Sequence, residues 1–377
     1  MERDRSRSRE GFHGQGKGCQ MNIRELVSDL MSVPGLSGHE DRVRRQIAKH
    51  LSPISTESDR LGNLWATFEG TGPSVLLFTH MDQLGFIVRK IEADGFLRLE
   101  RLGGVPERAL ASQEVLVCVG EGRDVRGIIA NKSHHATTPD EKYTVVRYPD
   151  LYVDCGFESS DEVTAAGIQI GTPVVYAPGS SALGAHRLTG PAIDDRAGCA
   201  VLIDVARALS RRANGPTVHV AFTTLEEFNL RGAQPLAQRL MPDIAIQVDL
   251  MLATDTPDMG DRGEMVLGGG PGISLYSFHG RGTLNGVIPH PAMVGLFETT
   301  ADAEGIRLQR SAQTGVLTDL SYVQLVGEGV ASIDVGFPMR YSHSSQEVVD
   351  IRDLDSLRDL LVAALSRIGP DFSLSRD

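Results

Sequence analysis

A chain of 377 residues, 41% of them hydrophobic, is long enough to bury a sizeable core as one large domain or two of ordinary size. Its formal net charge of −12 repels phosphate, which argues against a general nucleic-acid binder or a protein of anionic membrane surfaces. The four cysteines, Cys19, Cys118, Cys155 and Cys199, form no C-x-x-C pair, so neither a zinc ribbon nor a disulfide framework is expected.

Residues 1–20 are polar and rich in glycine and arginine, without hydrophobic period, and are expected to stay disordered, with Met21 a candidate start. No apolar run reaches the ~18 residues of a membrane span, and the basic N-terminus lacks an export core, so a cytoplasmic protein is expected. Apolar residues recur at helical spacing from Ile23 to Met31, Pro34-Gly-Leu-Ser37 breaks the pattern, and a second helix is read over 40–51. Strands follow at 64–68 and 74–79. Short glycine-separated runs then come at 85–91, 96–101, 114–119 and 125–130, the texture of a small inserted β-barrel.

Beyond about residue 178 helix and strand alternate again. Helices are expected over 196–209, 231–240, 291–304, 320–326 and 354–368, and strands over 217–224, 244–250, 306–310 and 332–335. Such alternation predicts an α/β fold with a sheet covered on both faces. The resulting division is an α/β domain over 21–82 and 180–377, interrupted by a β-barrel domain over 83–179.

In open α/β sheets ligands collect at the carboxyl ends of the strands, and acids and imidazoles fall there repeatedly in this chain. His80 and Asp82 close Val75-Leu-Leu-Phe-Thr79, and on an extended backbone positions i and i+2 share a face, so Asp82 can orient the His80 ring. Asp194-Asp195 opens a helix. Capping accounts for one of these acids, leaving the other free to project into the crevice. Asp249 follows Ile244-Ala-Ile-Gln-Val, His343 follows another apolar strand, and Glu226 and Glu227 stand side by side after Val218 to Leu225. Each alone reads as a cap, a loop start or a surface pair. Together, adjacent acids and two imidazoles at separate strand ends call for an opposing positive charge, which a pair of divalent metals supplies.

His80-Met-Asp82, Asp194-Asp-Arg196, Thr224-Leu-Glu-Glu-Phe-Asn-Leu-Arg-Gly-Ala233, Ile246-Gln-Val-Asp249 and Arg340-Tyr-Ser-His-Ser344 with Glu347-Val-Val-Asp350 resemble the dinuclear metalloaminopeptidase family of the tetrahedral, glutamyl and deblocking aminopeptidases. The resemblance covers residues 22–368 and implies a zinc-peptidase-like mixed β-sheet flanked by helices, with the β-barrel inserted. It implies two divalent ions, zinc foremost and cobalt or manganese as alternatives. Asp194 would bridge them, His80 and Asp249 would complete one coordination sphere, and Glu227 and His343 the other. Glu226 would be the general base and Asp82 the carboxylate behind His80. Peptides would be the substrates, and the inserted domain would mediate dimerisation towards a homo-oligomer, a dodecamer in the fullest case. Neither nucleic acid nor membrane would be a partner.

The chain departs from the family pattern at three places: Gln83 where an acid is common, Pro191 where a lysine is common, and Gly315-Val-Leu-Thr-Asp319 in place of Gly-Gly-Thr-Asp. These touch the substrate pocket and assembly contacts and remove no ligand. Two other readings stand beside the aminopeptidase: a dimetal hydrolase of other amides, and a catalytically silent relative. The second would be marked by loss of Glu226 or of a ligand, and this sequence shows none.

Overall fold

The computed structural model describes residues 21–280 and 285–376. The stretch 1–20, read from sequence as disordered, lies outside the described residues. The first helix, Ile23–Met31, starts at a capping box: the Asn22 side chain accepts the N–H of Glu25, and the Glu25 carboxylate accepts that of Asn22. The helix Asp41–Leu51 follows.

The main sheet has twelve strands. Its central path runs Leu64–Phe68, Val218–Thr223, Val75–His80, Ile244–Leu252, Ala331–Arg340, Glu347–Asp350 and Arg187–Gly190. The four from Val218–Thr223 to Ala331–Arg340 are parallel neighbours, so their carboxyl ends lie along one edge. Their continuous apolar runs follow from double coverage. Val75 and Leu77 pack with the helices Ile23–Met31, Ile193–Leu209 and Ile351–Ser366, whereas Leu76 and Phe78 point to Ala233–Leu240 and Leu320–Val323 on the other face.

Between Val75–His80 and Arg187–Gly190 the chain makes a closed antiparallel barrel. Its strands are, in order around the barrel, Gly85–Ile91, Leu97–Leu102, Val153–Asp154, Val125–Ile129, Glu114–Val117 and Pro173–Tyr176. Phe86, Val88, Leu99, Val115 and Tyr176 belong to a hydrophobic cluster of its own. The α/β fold with an inserted barrel is thus the observed architecture.

Several elements differ from the sequence reading. Val153–Asp154 and Pro173–Tyr176, which close the barrel, carry too few residues to show alternation, and the latter opens on a proline. Gly272–Phe278 was hidden behind the glycine run that precedes it. Ala331–Arg340 continues through Pro338 well past residue 335, and the strand expected over 306–310 lies at Gln309–Thr314. Among the described residues no helix is long and apolar enough to cross a membrane, and Cys118, Cys155 and Cys199 are unpaired thiols.

Candidate metal centre

The parallel strands bring the candidate residues to one edge. His80 is the last residue of its strand and sits level with Thr223 of the neighbouring strand, so the chain after Thr223 turns directly over it. That strand ends at Thr223, short of the expected 224, and Leu225 adopts a left-handed φ of 60°. This sharp turn, rather than strand alternation, sends Glu226 and Glu227 into the cleft. Asp249 enters from Ile244–Leu252, and His343 from the loop after Ala331–Arg340.

Asp194 and Asp195 occupy a non-helical start to the helix Ile193–Leu209, and the peptide between them is cis. Asp195 turns inward. It accepts the N–H of Gly198 at 2.9 Å and contacts the Thr79 hydroxyl. A Cβ on Gly198 would lie 2.3 Å from the Asp195 carboxylate, so only glycine fits there. Asp194 faces the cleft instead: its Oδ1 is 3.0 Å from His80 Nε2 and its Oδ2 is 3.5 Å from His343 Nε2.

Two donor groups result, His80 with Asp194 and Asp249, and Asp194 with Glu227 and His343; within each, the donor atoms all lie within 4.8 Å of one another. His343 Nε2 is 3.8 Å from Glu227 Oε1. The ring's Nδ1 lies 3.1 Å from the Gly104 carbonyl, which can only accept, so Nδ1 carries a proton and Nε2 is the nitrogen turned towards the acids. His80, Asp194, Glu226, Glu227, Asp249 and His343 all line one cleft of about 490 Å³.

Asp82 is fully buried and holds the turn after Thr223, accepting the backbone N–H groups of Glu226 at 3.1 Å and Glu227 at 3.0 Å and the Ser37 hydroxyl at 2.5 Å. Its Oδ1 stands 3.4 Å from His80 Nδ1. Sequence reasoning assigned no role to Glu347, whose carboxylate accepts the N–H of Asp194 at 3.1 Å and that of His343 at 2.7 Å. The only hint was an acid in the segment after His343.

Burial raises the carboxyls of Glu226, Asp249, Asp195 and Glu347 well above the ordinary range, and the neighbouring acids push the same way. Glu227 is lifted to about 7, chiefly by burial and by Asp194. Burial opposes charge on His80, but Glu226, Asp194 and Asp82 outweigh it and hold its imidazolium well above the usual value. An assembly of buried acids so starved of countercharge, with imidazole nitrogens among them, fits divalent metal ions by donor chemistry and by electrostatics.

The lysyl aminopeptidase of Pyrococcus furiosus is 30% identical over 93% of this chain and 99% of its own length. The structure of the aminopeptidase APDkam598 from Desulfurococcus kamchatkensis superposes with a TM-score of 0.86 at 32% identity, covering 93% of this chain and 96% of that one. The Pyrococcus horikoshii TET1 peptidase, described as assembling into a tetrahedron or a large octahedral shell, gives a TM-score of 0.82 at 26% identity over 92% of this chain and all of that one. The profile of the M42 glutamyl aminopeptidases matches residues 62–360, and the chain belongs to that family of peptide-bond hydrolases.

Proposed function

We propose that this chain is a metal-dependent aminopeptidase that removes N-terminal residues from short peptides at a dinuclear centre, with Glu226 as general base. The observation that carries the reading is Asp194, whose two oxygens face separate donor groups. In this reading His80, Asp194 and Asp249 hold one divalent ion, and Asp194, Glu227 and His343 the other. Zinc leads on donor type, and cobalt or manganese accept the same set. Bound there, the ions supply Lewis acidity to the scissile carbonyl and acidify water.

The chain's own residues do the rest. Glu226 lines the cleft beside the ligands. It takes a proton from the attacking water as the C–O bond forms and gives one to the leaving nitrogen as the C–N bond breaks. Asp82 is a positioning residue: by holding both glutamate N–H groups and facing His80, it fixes the base relative to the ligands.

Self-association belongs to the same reading, through the segment 83–179 and up to a dodecamer. Its support is the assembly of the TET1 peptidase and the apolar surface that the segment leaves in water, with Ile128 at 53% and Ile170 at 62% exposure.

The test is a panel of aminoacyl chromogenic substrates, free and N-acetylated, assayed before and after chelation. Hydrolysis restricted to the free amine, abolished by chelation and restored by a divalent metal, is the expected outcome. Equal cleavage of the acetylated forms would favour the dimetal hydrolase of other amides.

A further inference from the structure

Within its own strand Asp249 meets two donors. Its Oδ1 accepts the backbone N–H of Leu250 at 2.6 Å, and its Oδ2 accepts the side-chain amide of Gln247 at 3.2 Å. Positions i and i+2 of a strand share a face, so the pleat alone carries Gln247 beside Asp249. Gln247 has no surface in water. A buried amide needs partners at both ends, and the carbonyl of Gln247 accepts the N–H of Leu320 at 2.7 Å. That bond fixes which way the amide is turned. Flipped, it would set its NH2 against the Leu320 N–H and its oxygen against a carboxylate.

Leu320 opens the short helix Leu320–Val323, after a stretch whose residues Gly315, Val316, Leu317 and Thr318 line the cleft. Three consecutive residues here meet three different parallel strands. Thr318 donates its hydroxyl to Asp334 at 2.8 Å, Asp319 stands 3.4 Å from the Thr223 hydroxyl, and Leu320 donates its N–H to Gln247. Of the three, the contact with Gln247 continues through its amide to a side chain of the donor groups. A carboxylate oxygen has two lone-pair sites, so the amide on Oδ2 leaves the carboxylate able to take an ion while restricting its rotation.

Resting on the dinuclear reading above, we propose that Gln247 is a positioning residue for the ion held by His80, Asp194 and Asp249: its amide sets the plane of the Asp249 carboxylate and ties it to the cleft wall through Leu320. The effect belongs to one ion. Among the described residues Gln247 bonds to Asp249 and Leu320 and to neither Glu227 nor His343, which serve the other.

The test is calorimetric metal titration of the chelated full-length protein, with a thermal midpoint for each variant. Gln247→Met removes both bonds of the amide at similar volume. Gln247→Asn keeps a buried amide one methylene too short to span Asp249 and Leu320, and serves if the Met variant fails to fold. Thr318→Val loosens the same stretch from Asp334 without touching Asp249. Wild type should take up two ions. In each Gln247 variant the affinity for one ion is expected to fall by about 10- to 100-fold and that for the other to stay as in wild type. The visible absorption of the cobalt-loaded protein should change with it. Thr318→Val should lower the thermal midpoint and leave both affinities and the cobalt absorption unchanged. Wild-type affinities in the Gln247 variants overturn the proposal. So does equal weakening of both ions, or a weakening that follows the thermal midpoint into Thr318→Val, since either makes Gln247 a structural residue only. A wild type that takes up fewer than two ions would instead count against the dinuclear reading itself.

Discussion

Gln83 holds its side-chain carbonyl 3.2 Å from a guanidinium nitrogen of Arg196, a cation with no surface in water. The other bonds of that guanidinium go to the backbone carbonyls of Met81 and Val33, and its Nε has no partner. Among the described residues no carboxylate pairs with it. Gln83→Glu would supply one at the same place while still accepting the Gly35 N–H, which Gln83 now accepts at 3.2 Å. A charge-assisted bond is worth about 1.5 to 3 kcal/mol, so the variant is expected to unfold at higher temperature or denaturant. An unchanged or lower midpoint would show that Asp82 and Glu40, which act on Arg196 at longer range, already suffice.

Glu347 ties two ligand-bearing segments together by accepting the N–H groups of Asp194 and His343. Glu347→Ala frees both, and loss of such support commonly weakens metal affinity by about 10- to 100-fold. Metal titration of the chelated variant should show this for the ion held by Asp194, Glu227 and His343. Wild-type affinity would mean that the loop is held elsewhere.

Gly104 lies just beyond the barrel strand Leu97–Leu102, against His343. A Cβ there would fall 2.8 Å from the His343 Nδ1, inside any tolerable contact. Gly104→Ala should therefore displace the imidazole, lowering turnover and metal content together with little loss of thermal stability. Full turnover would show that the ring can shift without leaving its acids.

Much of this arrangement was legible in the sequence because it is local. His80 closes an apolar run and Asp249 interrupts one that continues to Leu252, two residues past the expected end of that strand, and a run of that kind is what a doubly covered parallel strand looks like. What stayed hidden depends on convergence. Glu347 acquires its importance from Asp194, 153 residues away. The division of labour between Asp194 and Asp195 depends on how the helix begins, which two adjacent identical residues cannot show.

Asp353 gives a pH signature away from the cleft. Burial lifts its carboxyl from 3.8 to about 6, against the N–H groups of Gly268 and Gly270 that it accepts at 2.7 and 2.8 Å. Between these values the folded state keeps a proton that the unfolded chain has lost, so stability falls as pH rises through the window. Asn cannot titrate. The stability of wild type relative to Asp353→Asn should thus decline by about 2 kcal/mol from pH 4 to pH 6.5, a two-unit shift discounted for partial solvation. Urea unfolding at both pH values checks this, and a constant difference would contradict it.

The most direct test of the account separates the two adjacent glutamates by metal content and turnover measured on the same preparations. Glu226→Gln keeps size and polarity but loses the basic oxygen, so two metal ions per chain should remain while turnover falls by roughly 10² to 10⁴. Glu227→Gln should instead weaken one of the two metal sites. Wild-type turnover in Glu226→Gln, or metal loss at position 226 rather than 227, would contradict the assignment of base and ligand.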